Sequence, residues 1–164
     1  MADVASFLAR LDAVEGRLGR HAGELYEALT DEDADTHEQW EAGQVWAHLA
    51  EFVPYWMGEL ERIIGAGADT PVPFGRTKSD PGRLAAIERD RATDPAQMMS
   101  RVSAAVEEFR VFVGELEPHE WAARGEHPTL GALSVGSIVE RFVVGHLEEH
   151  AEQLDGLATA RRMA

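Results

Sequence analysis

The sequence predicts an all-α fold, a four-helix up-down bundle, with residues 1–164 forming a single domain. Three observations carry this. Four segments, each ~20–27 residues long, place apolar side chains at alternating spacings of three and four. No stretch alternates with period two, as a half-buried strand would. Helix-start signals precede the third and fourth segments: Asp94-Pro95, an N-cap followed by proline at the first helical position, and Ser134.

The first helix is expected over residues 3–29, with Val4, Phe7, Leu11, Val14, Leu18, His21, Leu25 and Ala28 on its seam and the acidic run Asp31 to Asp35 ending it. The second, over residues 41–64, carries Val45, His48, Phe52, Tyr55, Glu59 and Ile63 near one face, and Pro54 inside it should introduce a kink. The third spans residues 95–117, with Met98, Val102, Ala105, Phe109, Phe112 and Leu116. The fourth spans residues 135–157, with Val135, Val139, Phe142, His146, His150 and Leu157. Two connections are long. Gly65 to Thr93 is rich in glycine, proline and charge, with a helical turn or two expected around Arg83 to Arg91. Pro118 to Leu133 holds Trp121, His127-Pro128 and Gly131. Such loops either contact substrate or simply cross the ends of the bundle.

Composition narrows the function. Apolar residues are 45% and charged residues 27%, ordinary globular proportions for a chain of 164 residues. The formal charge of −15, from 30 acidic against 15 basic side chains, argues against nucleic acid or an anionic membrane as partner. Cysteine is absent, which excludes disulfides, thiolate nucleophiles and cysteine-ligated metal and leaves histidine and carboxylate as strong ligands. No window approaches the ~20 apolar residues of a membrane helix. Met1 to Arg10 does not read as a secretory leader, so the expected location is cytoplasmic.

Of seven histidines, His37, His119 and His127 fall in polar connections, where solvation is expected. His146 and His150 are spaced i, i+4 and point about 40° apart on a face they share with Val135, Val139 and Phe142. Two imidazoles facing a core need hydrogen-bond partners or a cation. Chance supplies about 0.25 such pairs in this composition, so the pair alone says little. His48, on the apolar face of another helix, completes a candidate trio for one divalent ion. His21 also lies on a seam, where a neutral, hydrogen-bonded core histidine is expected rather than a fourth ligand. Glu51 and Glu149, each three residues after a trio histidine, lie at the edge of the ligand face as candidate acceptors for ligand N–H groups, or as solvated glutamates. His146 to His150 also fits H-x-x-E-H, but too few residues follow for the further carboxylate of that peptidase pattern. The paired Glu-x-x-His motifs of di-iron bundles are missing.

The chain resembles the DinB/YfiT-like family of bacterial metal-binding four-helix bundles over nearly its whole length. Three stretches carry the resemblance: Trp40 with Gln44-Val45-Trp46-Ala47-His48-Leu49; Trp121 with His127-Pro128-Thr129-Leu130-Gly131 and Leu133-Ser134-Val135-Gly136; and His146-Leu147-Glu148-Glu149-His150-Ala151-Glu152-Gln153-Leu154. It implies that His48, His146 and His150 hold a divalent ion, commonly zinc or nickel, with water at open positions, and that the protein is a homodimer. Relatives include S-transferases using bacillithiol or mycothiol and a mycothiol-dependent maleylpyruvate isomerase. The isomerase branch has glutamate where this chain has His146, so its reaction is not carried over. A metal-dependent enzyme acting with a low-molecular-weight thiol is therefore the first expectation, with Phe74, Arg76 and Lys78 able to line an anionic thiol. A metal-dependent hydrolase needs the same ligands. A non-catalytic binding or stress-response module is the alternative from another class.

Overall fold

The computed structural model describes residues 3–67 and 71–163. A short stretch of the Gly65–Thr93 connection and the chain ends of the 1–164 domain assignment lie outside the described residues. The elements are α1 (Val4–Gly19), α2 (Ala42–Gly65), β1 (Val72–Pro73), α3 (Pro81–Asp90), α4 (Pro95–Glu115), α5 (Pro118–Trp121), β2 (Arg124–His127), β3 (Gly131–Ser134), α6 (Val135–Ile138), a π-helical turn (Val139–Val144) and α7 (Gly145–Met163). The last three form one continuous helix. It makes, with α1, α2 and α4, a four-helix bundle. Both α1 and α2 pack on α4 and on the last helix, so they stand across the bundle from each other, as the long 20–41 connection permits.

The capping signals act as the sequence suggests. The Asp94 carboxylate accepts from the Ala96 and Gln97 amides, and the Ser134 hydroxyl accepts from the Ser137 amide. At the start of α2, Glu41 and Gln44 form a reciprocal capping box. Each satisfies amides that a helix start leaves without partners. The second helix runs through Pro54, which is exposed. The core is a single cluster of buried side chains, among them Leu11, Leu18, Trp46, Phe52, Phe109, Ile138, Leu147 and Leu154.

The first helix is shorter than its apolar period suggests. It ends at Gly19, and Leu25, which the seam placed inward, is 75% exposed. Leu29 instead bridges Glu41 in extended backbone, and the Thr30 amide donates to Trp40 O. Three glycines from Gly16 to Gly23 weaken the helix just where the heptad would have to continue. Arg83 to Arg91, expected as a turn or two, lies in the full helix α3 up to Asp90, with Arg91 as its C-cap.

The expectation of no strand is corrected. β1, β2 and β3 form a small sheet in that order, parallel between β1 and β2 and antiparallel between β2 and β3, with His127 opposite Gly131. These strands are two to four residues long, too short to show a period. Gly125 has no side chain to register as apolar, yet it lies under Phe74 and Ile63. The sheet lies in the two long connections, runs up to Ser134, the cap of the last helix, and leaves the helical segments intact. His127, expected in solvent, is half-buried and stacks on Phe142 with ring centroids 5.4 Å apart.

The π-helical turn lies within the last helix. Buried positions run through it on one face, from Val135 and Val139 to Val143 and Leu147, with Ile138 and Val144 alongside. The wide turn closes where the Gly145 amide donates to Glu140 O, five residues back. A Cβ on Gly145 would stand 2.9 Å from that oxygen, which accounts for a glycine directly before His146.

Close backbone packing also yields a stability test. A Cβ at Gly43 would fall on the Arg91 carbonyl oxygen after α3, whereas one at Gly58, exposed on the same helix, would meet open space. Gly43→Ala should therefore cost about 1–3 kcal/mol, and Gly58→Ala should gain roughly 0.5–1 kcal/mol, in urea denaturation.

Candidate metal centre

The trio comes together. His48 on α2 and His146 and His150 on α7 each offer one ligand nitrogen, and the three nitrogens lie within 4.8 Å of one another. The Nε2 atom of His146 is 3.1 Å from Nε2 of His48 and 3.1 Å from Nε2 of His150. Nitrogens bound ~2.0–2.1 Å from one ion stand roughly 3.0–3.4 Å apart, and these two separations match that spacing.

The opposite edge of each ring explains why the Nε2 atoms are lone-pair donors. His48 Nδ1 donates to Glu51 Oε1 at 2.7 Å, His146 Nδ1 to Glu149 Oε2 at 3.1 Å, and His150 Nδ1 to Gln153 Oε1 at 2.7 Å. Every partner lies three residues after its histidine, on the same helical face. With the protons at Nδ1, neutral rings turn three Nε2 lone pairs toward one place, an arrangement that a cation satisfies and the rings alone do not. The residues present fit a divalent ion.

Burial keeps the rings neutral. His48 and His150 are 3% and 6% exposed. Burial, reinforced by the neighbouring imidazoles and by Arg83, holds His48 well below the usual histidine range. Burial, then the nearby His146, pushes His150 down to about 3. His146 is half-buried, so it is the member of the trio nearest solvent. The two glutamates differ in setting. The Glu51 side chain is 9% exposed, and burial raises its pKa despite the Arg76 guanidinium. Glu149 is exposed, and the hydrogen bond from His146 lowers its pKa.

Aromatic rings and the loops complete the walls. Phe52, one turn after His48, stands 4.8 Å from His146 and 5.2 Å from His48 between centroids. Trp40 meets His48 edge-on at 5.5 Å and lies parallel to His150 at 6.3 Å. From the Gly65–Thr93 connection, Arg76 grips both Glu51 oxygens at 2.6 and 2.7 Å, with its guanidinium 3.8 Å from the Tyr55 ring centroid. Phe74 is buried beside Trp56 and Phe142, not at the site mouth. Lys78 pairs with Asp33 and Asp35 across the mouth. A pocket of about 80 Å³ opens onto the trio, lined also by Trp40, Arg83 and Gln153.

His21 does not join the trio. Its Nδ1 accepts from the Tyr26 hydroxyl at 2.7 Å and its Nε2 donates to Asp155 at 2.7 Å, so it is the hydrogen-bonded core histidine the seam suggested. Sequence reasoning missed Gln153 and Arg83 at the site, and placed Arg76 there as a lining for an anionic thiol, whereas its guanidinium is bonded to Glu51. Gln153 was accessible to the rule that marked the two glutamates, since it too lies at i+3 from a trio histidine. The arginines arrive from a loop whose path no periodicity records.

Comparison with known proteins places the fold. YfiT from Bacillus subtilis, described as a probable metal-dependent hydrolase with an unusual four-helix bundle topology, is 20% identical with a TM-score of 0.67, over 98% of this chain and 87% of YfiT. The mycothiol-dependent maleylpyruvate isomerase is 12% identical with a TM-score of 0.66, over 92% of this chain, which spans 60% of the isomerase. At these identities the likeness shows the fold. No curated protein sequence matches the chain. Residues 5–154, from the first turn of α1 to a point beyond His150, match the DinB superfamily, and the protein belongs to that superfamily.

Proposed function

We propose that this protein is a divalent-metal-dependent enzyme, with His48, His146 and His150 as the ligands and a small-molecule nucleophile as the reacting group. The convergence of three Nε2 atoms, each backed by an acceptor at its own Nδ1, carries this reading. A divalent ion held by three neutral imidazoles lowers the pKa of a water or thiol placed at its open position. Zinc and nickel both suit imidazole.

The chain's own groups would then do the following. Glu51, fixed by Arg76, orients His48 and keeps its proton at Nδ1. Gln153 does the same for His150 without adding charge. Glu149, exposed and bonded to His146 Nδ1, orients that ring in the same way. Phe52 and Trp40 keep water from the back of the rings. Because the chain has no cysteine, thiol chemistry requires a small-molecule thiol, and S-transfer from such a thiol to an electrophile is the first reaction we propose. Hydrolysis is the second, supported by the near coextensive fold of YfiT. We also propose a homodimer, on the resemblance described above, to be checked by light scattering at micromolar concentration.

Elemental analysis of protein dialysed against zinc or nickel tests the ligand set. About one ion per chain is expected for the native sequence. His48→Ala, His146→Ala and His150→Ala should each abolish tight binding, and His127→Ala should leave it unchanged. Glu51→Gln should weaken affinity about 10–100-fold. Full occupancy in the ligand variants would exclude this site.

Stability should report the same centre. Metal at about 100 times its Kd should add roughly 2.7 kcal/mol, removable with a chelator. In chelator, His48 and His150 have folded pKa values below the unfolded value of about 6.5, so their contribution is present above that pH and is lost as pH falls toward 3. Thermal melts between pH 7.5 and 4.5 should decline less steeply for His150→Gln than for the native chain.

The two reactions separate in an assay of the metal-loaded protein with a chromogenic ester and, independently, an aryl halide. Aryl halide turnover that needs added thiol supports S-transfer. Ester cleavage without thiol supports hydrolysis. Neither activity, in protein with full metal occupancy, counts against catalysis.

A further inference from the structure

We infer that the pocket in front of the three imidazoles takes the carboxylate of a small substrate, with Arg83 as the group that receives it. This rests on the metal reading above and names what the same site would bind. Arg83 sits in the first turn of α3, where the Asp80 carboxylate accepts from its amide at 2.8 Å. The residue is only 9% exposed, and it lines the same pocket as His48, His146 and His150. Its Nη1 donates to Lys78 O at 2.7 Å, and its guanidinium stands 5.2 Å from the Trp40 ring centroid. Among the described residues, no carboxylate lies within ion-pair distance of it.

Glu51, Glu38 and Asp33 lie near enough to act on its charge, yet none pairs with it, which is unusual in a chain whose acids outnumber its bases by 30 to 15. A buried guanidinium normally has a partner, because desolvating its charge is costly. The other cations around the pocket are already engaged, Arg76 with Glu51 and Lys78 with Asp33 and Asp35. Arginine stays protonated at any working pH, so a fixed positive charge with unused N–H donors faces the site. Its fork matches the two oxygens of a carboxylate.

Charge and size restrict the ligand further. Asp31 and Glu38, exposed at the rim of the pocket, oppose a dianion more strongly than a monoanion. The space of about 80 Å³ is small, and suits a carboxylate-sized group better than a whole substrate. A single carboxylate, on a substrate whose remainder extends past the rim, meets both limits.

The test uses cobalt-loaded full-length protein, with metal content measured first and acetate then titrated by visible absorption. Acetamide serves as the neutral control of equal size. Saturable binding of acetate but not acetamide is expected in the native chain. R83Q should keep its metal and weaken acetate binding about tenfold or more, and R83K, which keeps the charge, should retain an intermediate affinity. Acetate bound equally by R83Q and the native chain would overturn the inference, because the ion alone would then account for it. Loss of metal from R83Q and R83K would also overturn it, making Arg83 a support for the site. Failure of the native chain to bind cobalt or zinc is a separate result that removes the metal reading and this inference together.

Discussion

Three lone pairs aimed at one point inside a helical bundle place demands on everything around them. Neutral imidazole has one proton, so a ring that presents Nε2 as a donor atom to a cation must dispose of its proton at Nδ1. Here each proton goes to the residue three positions on, and helix geometry alone brings that residue alongside. The solution is local and repeated three times, in Glu51, Glu149 and Gln153. Its charge balance is uneven. One acceptor is a buried carboxylate, one an exposed carboxylate and one a neutral amide, so the site keeps a single buried negative charge, which Arg76 compensates.

That compensation draws in the loop. Arg76 is far from Glu51 in sequence and reaches it because the Gly65–Thr93 connection folds back along α2, with Phe74 buried and Arg76 over Tyr55. The small sheet holds this path by pairing Val72 and Pro73 with Gly125 and Glu126. The long connections thus do more than cross the bundle ends. They deliver one cation to the back of the ligand set, another to its mouth, and a third that carries no carboxylate.

Much of this was legible in the sequence wherever periodicity or capping carried it. The four helical segments, the Asp94-Pro95 and Ser134 starts and the inward faces of His48, His146 and His150 follow from spacings of three and four. Periodicity overran at Leu25, because a heptad pattern does not register the cost of glycines that let the chain leave the helix. It was silent on β1 to β3, whose strands pair through backbone groups and carry few apolar side chains. The metal trio was accessible because its members sit on helices. Arg83 was not, and Arg76 was placed near the site without its partner Glu51, since a loop residue's destination depends on tertiary packing that no local pattern encodes.

The π-helical turn before His146 has a consequence for how such a site can change over evolutionary time. One extra residue in a helix rotates all that follows by about 100° relative to all that precedes. The upstream half, with Ile138 and Val139, is committed to the core, and the downstream half presents the two histidines. Between them, the wide turn takes up one residue while both halves stay packed in the core, the downstream half through Leu147, Ala151 and Leu154. A lineage could gain or lose one residue there, passing between wide turn and ordinary α-helix, while Leu147 and Leu154 stay in the core and both imidazoles keep the helix they face.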